Sequence, residues 1–202
     1  MRRKSAKGRC GMDHRPIDPG DALFYEEQTE SKSIFEGRVL HLFVDGVRLS
    51  DGSESVREVI RHNGAVCVLP LTDGGDVICV RQYRYAVGSM MLELPAGKLD
   101  SKDEIPEEAA RRELREETGF TCERLISLGD MYGSPAILDE RIHLYLATGL
   151  HGGRATPDEG ELVETVTLPL SELTEMVLRG EITDAKTQIA VMKAHFYCKN
   201  RR

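Results

Sequence analysis

The sequence lacks several patterns that mark large classes of protein. Its five cysteines show no CxxC spacing, so neither a zinc site nor a disulfide framework is indicated. No apolar stretch approaches the roughly 20 residues of a membrane-spanning helix, and the basic residues 1–7 are not followed by the apolar segment of a secretory signal. The six histidines are dispersed without HExxH or similar spacing. We therefore expect a cytoplasmic protein that uses neither a membrane nor histidine chemistry.

The net charge and the chain length indicate which partners and how many domains to expect. A formal net charge of −7 argues against a nucleic-acid partner, because surfaces that bind nucleic acid are normally basic, but local arginines can still hold small anions. With 202 residues and 40% hydrophobic content, the chain can build one substantial core plus an appendage. Residues 1–20 are expected to form a mobile basic tail, with a nucleic-acid-binding arm as the alternative.

Segments of high β propensity, separated by turn sequences, occupy much of the chain. Strands are expected at 22–28, 34–49 and 55–61, with turns at Asp45-Gly46 and Asp51-Gly52. Further strands are expected at 65–71, 77–83, 125–131, 141–147 and 162–168. The order predicts an α+β fold in which residues 21–62 form a small antiparallel β module and residues 63–202 form a mixed sheet sandwiched by helices.

The helices have local start and end signals. Pro106 suits a first helical turn, where its missing N–H is not needed, and Gly119 is placed to end that helix. Ser171 is placed to cap a short helix that ends at Gly180. The last helix follows Thr183 and has one apolar face, made of Ala185, Ile189, Met192 and Phe196.

The helix that starts at Pro106 concentrates carboxylates on one side. Glu113 and Glu117 are at i,i+4 and repel each other, with Glu116 beside them, so a bound cation would relieve the repulsion. Glutamate oxygens are hard ligands, which favours Mg²⁺, or Mn²⁺ as the alternative, over zinc. Other charged residues of this helix are expected to form i,i+4 ion pairs, namely Glu107 with Arg111 and Glu108 with Arg112.

The string RELREETGF at residues 112–120, with Glu104 and Gly97 upstream, resembles the signature of the Nudix hydrolase family. From Glu104 onward the match is complete, but six residues separate Gly97 from Glu104 where the signature has five. The resemblance implies an α/β/α sandwich and metal-dependent hydrolysis of a diphosphate. It also implies that Arg112 and Glu104 form a salt bridge that supports the metal-binding glutamates.

The resemblance further implies which residues carry the reaction. Glu113 and Glu117 bind Mg²⁺ and are thereby catalytic, Glu116 assists them, and the Ala96 carbonyl completes a site. In hydrolases of this type the general base comes from an acidic loop after the signature helix, which here corresponds to residues 157–161. Within that loop the base is expected to be Glu161, and otherwise Glu159, while a solvated turn is the alternative interpretation.

The similarity to ADP-ribose pyrophosphatases and related nucleoside diphosphate sugar hydrolases covers nearly the whole chain after the tail. It is carried by residues 34–39, 57–59, 80–88, 92–97 and 180–184, and by Pro135, which follows Gly119 at the characteristic distance. Ala136 departs from the pattern, because many relatives carry glycine there. The resemblance implies a homodimer, with residues 21–62 at the interface, that cleaves ADP-ribose to AMP and ribose 5-phosphate.

Five residues are expected to bind the substrate. The resemblance places Arg57 and Glu58 near the adenine and Pro135 in the substrate loop. Arg84 suits a pyrophosphate oxygen, because a guanidinium presents a planar fork of donors, although an exposed strand charge is the alternative. Glu93 fits either a substrate ligand or an ordinary polar residue at a strand edge.

Other functions stay open at this point. The substrate is alternatively another nucleoside diphosphate sugar or a dinucleotide. A catalytically silent Nudix domain that senses a nucleotide sugar or binds a partner is a different class of function, and an isomerase on the same fold is a third. The intact cluster of Glu113, Glu116 and Glu117 argues against the silent domain, since a pure binder does not need like charges side by side.

Overall fold

The computed structural model describes residues 18–153, 155–156 and 162–200. The chain divides into two compact units between Val59 and Ile60, whereas the expected boundary lay between residues 62 and 63. Most of the expected basic tail lies outside the described residues, as do Glu159 and Glu161.

The first unit is built from a short 3₁₀ helix and a three-stranded sheet. The helix is Pro19–Phe24, and the strands are β1 (Glu27–Glu36), β2 (His41–Arg48) and β3 (Glu54–Arg61), of which β3 continues across the division. The strand order is β1-β2-β3, and β1 pairs with β2 in antiparallel register.

Two expectations for this unit were wrong. The segment 22–28 begins as helix, because Asp18 accepts a hydrogen bond from the Gly20 amide and proline favours a first helical turn. Asp45-Gly46 is not a turn but lies inside β2, where Asp45 is buried and accepts a hydrogen bond from Ser31 Oγ at 2.5 Å. An Asp-Gly pair is therefore compatible with a strand when a residue of the neighbouring strand donates a hydrogen bond to the aspartate side chain.

The second unit contains two sheets. Its strands are β4 (Ala65–Pro70), β5 (Asp76–Arg84), β6 (Ser89–Glu93), β7 (Ala96–Lys98), β8 (Thr121–Tyr132), β9 (Arg141–His151) and β10 (Val163–Pro169). One sheet has the order β7-β4-β9-β8 and the other has the order β10-β5-β6. The pair β4 and β9 is parallel, whereas β7 and β8 pair in antiparallel register with their neighbours, so the larger sheet is mixed.

Helices cover both faces of the mixed sheet. The helices are α1 (Pro106–Thr118), α2 (Leu170–Leu178) and α3 (Ala185–Lys199). Alternate residues of β4 point to opposite faces, so that Val66 and Val68 pack with α1 while Cys67 and Leu69 pack with α2 and α3. This arrangement confirms the expected α+β sandwich. None of the helices in the described part of the chain is long and apolar enough to span a membrane.

The expected ends of α1 are confirmed, but of the expected apolar face of α3 only Ile189 packs against the core cluster. Pro106 starts α1, and Gly119 ends it with a φ of 77°, a left-handed conformation that suits glycine. In α3 the buried residues are Thr187, Ala190, Val191 and Ala194, whereas Ala185 and Phe196 are exposed. The small side chains of α3 let its backbone approach the sheet closely, which a search for large apolar residues does not detect.

Candidate active site

Helix α1 carries two glutamates into its buried face. Glu113 and Glu117 are one turn apart and have relative exposures of 9% and 6%, alongside the apolar residues Ala110 and Leu114. Charged carboxylates are seldom buried unless other groups compensate them. Two buried carboxylates one turn apart therefore make this face of α1 the candidate site.

Strand β7 places its backbone directly against these carboxylates. The Ala96 amide donates a hydrogen bond to Glu117 Oε2 at 3.1 Å. A Cβ at Gly97 would overlap the Glu113 carboxylate, so glycine is required for this close approach. The β7 backbone is held by pairing with β4, in which Gly97 is opposite Val66. The strand and the helix therefore bring together Ala96, Glu113 and Glu117.

The Arg112 guanidinium connects the Glu113 carboxylate with those of Glu116 and Glu104. Its Nη1 donates to Glu113 Oε1 at 2.6 Å and to Glu116 Oε2 at 3.3 Å. Its Nη2 donates to the Lys98 carbonyl at 3.2 Å and to Glu104 Oε1 at 3.4 Å. Burial alone would lower the pKa of Arg112, but the surrounding carboxylates, Glu113 first among them, raise it overall.

These contacts correct the expected ion pairs of α1. Arg112 pairs with Glu104, as the family signature implied, and also with Glu113 and Glu116, whereas the expected pair with Glu108 does not form. Arg111, which was expected to pair with Glu107, donates to the Cys122 carbonyl at 2.9 Å. The loop before α1 is tied to the same group, because the Asp100 amide donates to Glu104 Oε2 at 2.6 Å.

The side chains around α1 supply oxygen donors, the type that a hard divalent cation prefers. Among the residues that the structure describes, no three His, Cys, Asp or Glu side chains form a group that could hold a metal ion. Nevertheless, the carboxylates of Glu104, Glu113 and Glu116 surround the guanidinium of Arg112 and leave an excess of negative charge there. Carboxylate and carbonyl oxygens suit Mg²⁺ and Mn²⁺.

A second charged group includes Arg84 and Glu93. Arg84 Nε and Nη2 donate to the two oxygens of Glu93, each at 2.7 Å, and Lys186 Nζ donates to Glu93 Oε2 at 2.5 Å. Glu93 is only 1% exposed, so it is a buried anion rather than an ordinary polar residue at a strand edge. Burial alone would raise its pKa, but Arg84 and Lys186 lower the pKa overall, which keeps the carboxylate ionised.

Sequence reasoning missed Lys186 and the role of Asp184. Lys186 is 93 residues from Glu93 along the chain, and the resemblance used for the substrate class stopped at residue 184. The available signal was local: Asp184 precedes a helix and caps it by accepting a hydrogen bond from the Thr187 amide at 2.9 Å.

The other expected substrate residues occupy separate elements. Arg57 and Glu58 lie on β3 in the first unit, where Arg57 Nε donates to Glu26 Oε2 at 2.9 Å and Glu58 is exposed. Pro135 lies in an exposed turn, in which the Ile137 amide donates to the Ser134 carbonyl at 3.1 Å.

The expected acidic loop, residues 157–161, lies outside the described residues. The residue before it is described: the Thr156 amide donates to the backbone carbonyl of Glu116 at 2.9 Å. The chain that enters the loop is thus fastened to the last turn of α1.

Comparison with known proteins identifies the protein family of the chain. The model of the NUDIX domain family matches residues 61–189, and the chain therefore belongs to the Nudix family. Hydrolases of this family generally use a divalent metal ion.

Three similar proteins span most of the chain. An ADP-ribose pyrophosphatase of Bacillus subtilis (strain 168) is 42% identical over 82% of this chain and 91% of its own. A methanol dehydrogenase activator of Bacillus methanolicus is 43% identical over 84% of this chain and 92% of its own. A solved structure described as an ADP compounds hydrolase shares the fold, with a TM-score of 0.77 over 87% of this chain and 95% of its own, at 24% identity.

Proposed function

We propose that this protein is a Mg²⁺-dependent pyrophosphohydrolase that cleaves ADP-ribose with water, giving AMP and ribose 5-phosphate. The observation that carries the proposal is the convergence of Ala96 and Gly97 on the buried carboxylates of Glu117 and Glu113. The substrate is supported by the relatives named ADP-ribose pyrophosphatase in Bacillus subtilis and Mycobacterium tuberculosis, which are 42% and 37% identical to this chain.

The metal would be held by Glu113, Glu116, Glu117 and the Ala96 carbonyl, with Mn²⁺ as the alternative ion. When bound, the ion supplies charge stabilisation for the phosphoryl oxygens and a water of lowered pKa. Arg112 keeps the carboxylates of Glu113 and Glu116 in place through hydrogen bonds of 2.6 and 3.3 Å. Glu104 supports Arg112 from the loop side, at 3.4 Å from its Nη2.

The substrate would be bound by side chains outside α1. The Arg84 guanidinium donates to a pyrophosphate oxygen, since 40% of its side chain is exposed while one edge is fixed by Glu93. Glu93 serves the substrate through Arg84. The family resemblance also implies Arg57, Glu58 and Pro135 as nucleotide-binding residues.

The general base would be Glu161, with Glu159 as the second choice. Its task is to take the proton from the attacking water, and a carboxylate within hydrogen-bond reach is sufficient for that step. The Thr156 contact with the Glu116 carbonyl supports the proposal, because it brings the chain that leads to these residues next to the last turn of α1.

We also propose that the protein is a cytoplasmic homodimer whose first unit forms part of the interface. Exposed apolar residues in this unit support the proposal, since Ile34, Phe35 and Val56 have exposures of 49%, 53% and 63%. Burial of such residues by a second copy would remove apolar surface from water. Sedimentation equilibrium of the purified chain tests this point, and a monomer at all concentrations would contradict it.

Two of the similar proteins favour alternative functions. A GDP-mannose pyrophosphatase of Yersinia enterocolitica, 36% identical over 71% of this chain, favours another nucleoside diphosphate sugar as the substrate. The relative named methanol dehydrogenase activator favours a role in activating a dehydrogenase. Both alternatives keep the same fold, so only activity separates them.

A substrate panel with Mg²⁺ tests the proposal. ADP-ribose, GDP-mannose, UDP-glucose and a diadenosine polyphosphate are compared by kcat/KM, and release of AMP and ribose 5-phosphate is measured directly. We expect ADP-ribose to exceed the others by at least about tenfold, a ratio that recognition of a few substrate groups can supply. Equal values for all compounds, or no hydrolysis of any of them, would refute the assignment.

A further inference from the structure

Lys186 is held between two carboxylates near the start of α3. Its Nζ lies 2.5 Å from Glu93 Oε2 and 2.9 Å from Asp184 Oδ1, and its side chain is only 14% exposed. Burial alone would lower the pKa of Lys186, but Asp184 and Glu93 raise it overall. The ammonium is therefore charged and is fixed from two sides.

The carboxylate of Glu93, which Lys186 contacts, also binds the guanidinium of Arg84. Both of its oxygens accept from the Arg84 guanidinium at 2.7 Å, and Oε2 accepts from Lys186 as well. A bidentate pair fixes the plane of a guanidinium as well as its position. Lys186 and Arg84 thus share one buried carboxylate, and the Arg84 side chain remains 40% exposed on its other side.

The position of Lys186 is set in turn by the first turn of α3. Asp184 accepts from the Thr187 amide at 2.9 Å and from Thr187 Oγ1 at 2.6 Å, so its carboxylate cannot follow the lysine if the lysine moves. Thr187 Oγ1 also accepts from the Leu94 amide at 3.0 Å, directly after Glu93. The first turn of α3 therefore contacts the Leu94 amide through Thr187 and the Glu93 carboxylate through Lys186.

We propose that Lys186 is a positioning residue that acts through Glu93 to fix the guanidinium of Arg84 toward the diphosphate of the substrate. The inference rests on the proposed function, because that function makes Arg84 a substrate ligand. Without the ammonium, Glu93 Oε2 loses one of its two cationic partners, and only Arg84 then orients the buried carboxylate. The bidentate pair is held less rigidly, although Arg84 itself is unchanged.

The first test is kinetic. We expect K186M to raise KM for ADP-ribose about tenfold with a much smaller change in kcat, which is the pattern of lost substrate binding. K186R, which keeps the charge, should recover part of the loss. K193M is the matched control: Lys193 is exposed on the same helix, donates to the Leu128 carbonyl at 2.6 Å and should leave KM unchanged.

A double-mutant cycle separates positioning from general damage to the fold. If Lys186 acts through Arg84, K186M should add little to the effect of R84A, because the residue on which it acts is already gone. A full additional loss in the R84A background would overturn the inference, as would a KM for K186M equal to that of the wild type. K186Q is measured in parallel, so that poor folding of K186M alone does not decide the outcome.

The second test does not depend on any activity. In ¹⁵N NMR spectra, the Nε–Hε signal of Arg84 is identified by its loss in R84K. Exchange of this proton with water should be at least about tenfold faster in K186M and K186Q than in K193M, because the bond to Glu93 is weakened. An unchanged signal would overturn the positioning role even if the enzyme hydrolyses ADP-ribose. If the wild type does not hydrolyse ADP-ribose, the proposed function fails while this measurement still decides the role of Lys186.

Discussion

Gly97 lies so close to the carboxylate of Glu113 that a single methyl group at residue 97 would overlap it. The carboxylate is the flexible end of a side chain, so the protein can accommodate an alanine by moving Glu113 rather than by unfolding. We expect G97A to change the unfolding free energy by less than about 1 kcal/mol, while kcat falls by at least about tenfold, since the displaced group belongs to the proposed metal site. Thermal unfolding and steady-state kinetics on the same preparation measure both effects.

G74A is the matched control for this prediction. Gly74 lies in the turn between β4 and β5, where an added Cβ would meet Thr72 Oγ1 at an ordinary 3.6 Å. It should leave both stability and kcat unchanged. If G97A is as active as G74A, the contact between Gly97 and Glu113 has no part in the reaction.

Removal of the general base should affect the chemical step and spare metal binding. E161Q keeps the size of the side chain but cannot accept the proton of the attacking water, and we expect kcat to fall by about 10²–10⁴. Mn²⁺ affinity, measured by electron paramagnetic resonance, should stay at the wild-type value. D158N serves as the control within the same loop, and a smaller loss for E161Q than for E159Q would exchange the two assignments.

Arg112 should stabilise the protein most when no divalent ion is present. R112M leaves the carboxylates of Glu104, Glu113 and Glu116 without their shared partner. Because Arg112 is 26% exposed, we expect a loss of about 2 kcal/mol, below the cost of breaking a fully buried pair. Added Mg²⁺ should restore part of this loss, since a cation relieves the same repulsion.

Thermal unfolding with Mg²⁺ and with a chelator measures this effect. A loss of this size lowers the Tm of a chain of this length by about 4–8 °C. R115M is the control on the same helix, because Arg115 is exposed. Equal Tm values for R112M and R115M in the chelator would show that Arg112 does not stabilise the cluster.

The limits of sequence reasoning here are physical and can be assigned to particular residues. The ends of α1 were predictable because Pro106 and Gly119 act within one helical turn of their own positions. Of the partners of Arg112, Glu104 was expected from the family signature and is confirmed. Glu113 and the Lys98 carbonyl were not expected, since the i,i+4 rule considers only one helix and the Lys98 carbonyl contacts the guanidinium from β7. Local rules locate an element, whereas contacts between elements select among the partners that those rules allow.

The same distinction explains the second charged group. Arg84 and Glu93 were identified separately as substrate residues, but their bidentate pair joins residues that do not face each other in the ladder of β5 and β6, where Arg84 is opposite Ser89 and Glu93 is opposite Val80. Lys186 reaches Glu93 because α3, which lies far along the chain, packs in the same core cluster as Leu94. The local sequence patterns around these residues do not indicate this contact between distant segments.

Asp130 should give the protein a pH-dependent stability. His143 Nδ1 lies 2.8 Å from Asp130 Oδ1, and Arg141 Nε donates to Oδ2 at 2.8 Å. Burial alone would raise the pKa of Asp130, but Arg141 and His143 lower it below the ordinary value of 3.8. The ionised carboxylate therefore stabilises the folded state above pH 3.8, and this contribution is lost as the pH falls through the lower folded pKa.

We expect D130N to lose about 1 kcal/mol at neutral pH, as is typical of a partly exposed pair. The difference from the wild type should shrink as the pH falls below 3.8, the ordinary pKa of the group. Urea unfolding across this pH range measures it. A difference that stays constant down to the acid limit would mean that Asp130 contributes through packing rather than through charge.

The central claim is that Glu113, Glu116 and Glu117 bind a divalent ion that the reaction requires, and anomalous diffraction from crystals soaked in Mn²⁺ tests it most directly. We predict an anomalous peak among these three side chains in the wild type, and none in E117Q, which should remain folded but lose turnover. An anomalous map without a peak at these glutamates, or an E117Q protein with near-normal turnover, would contradict the claim.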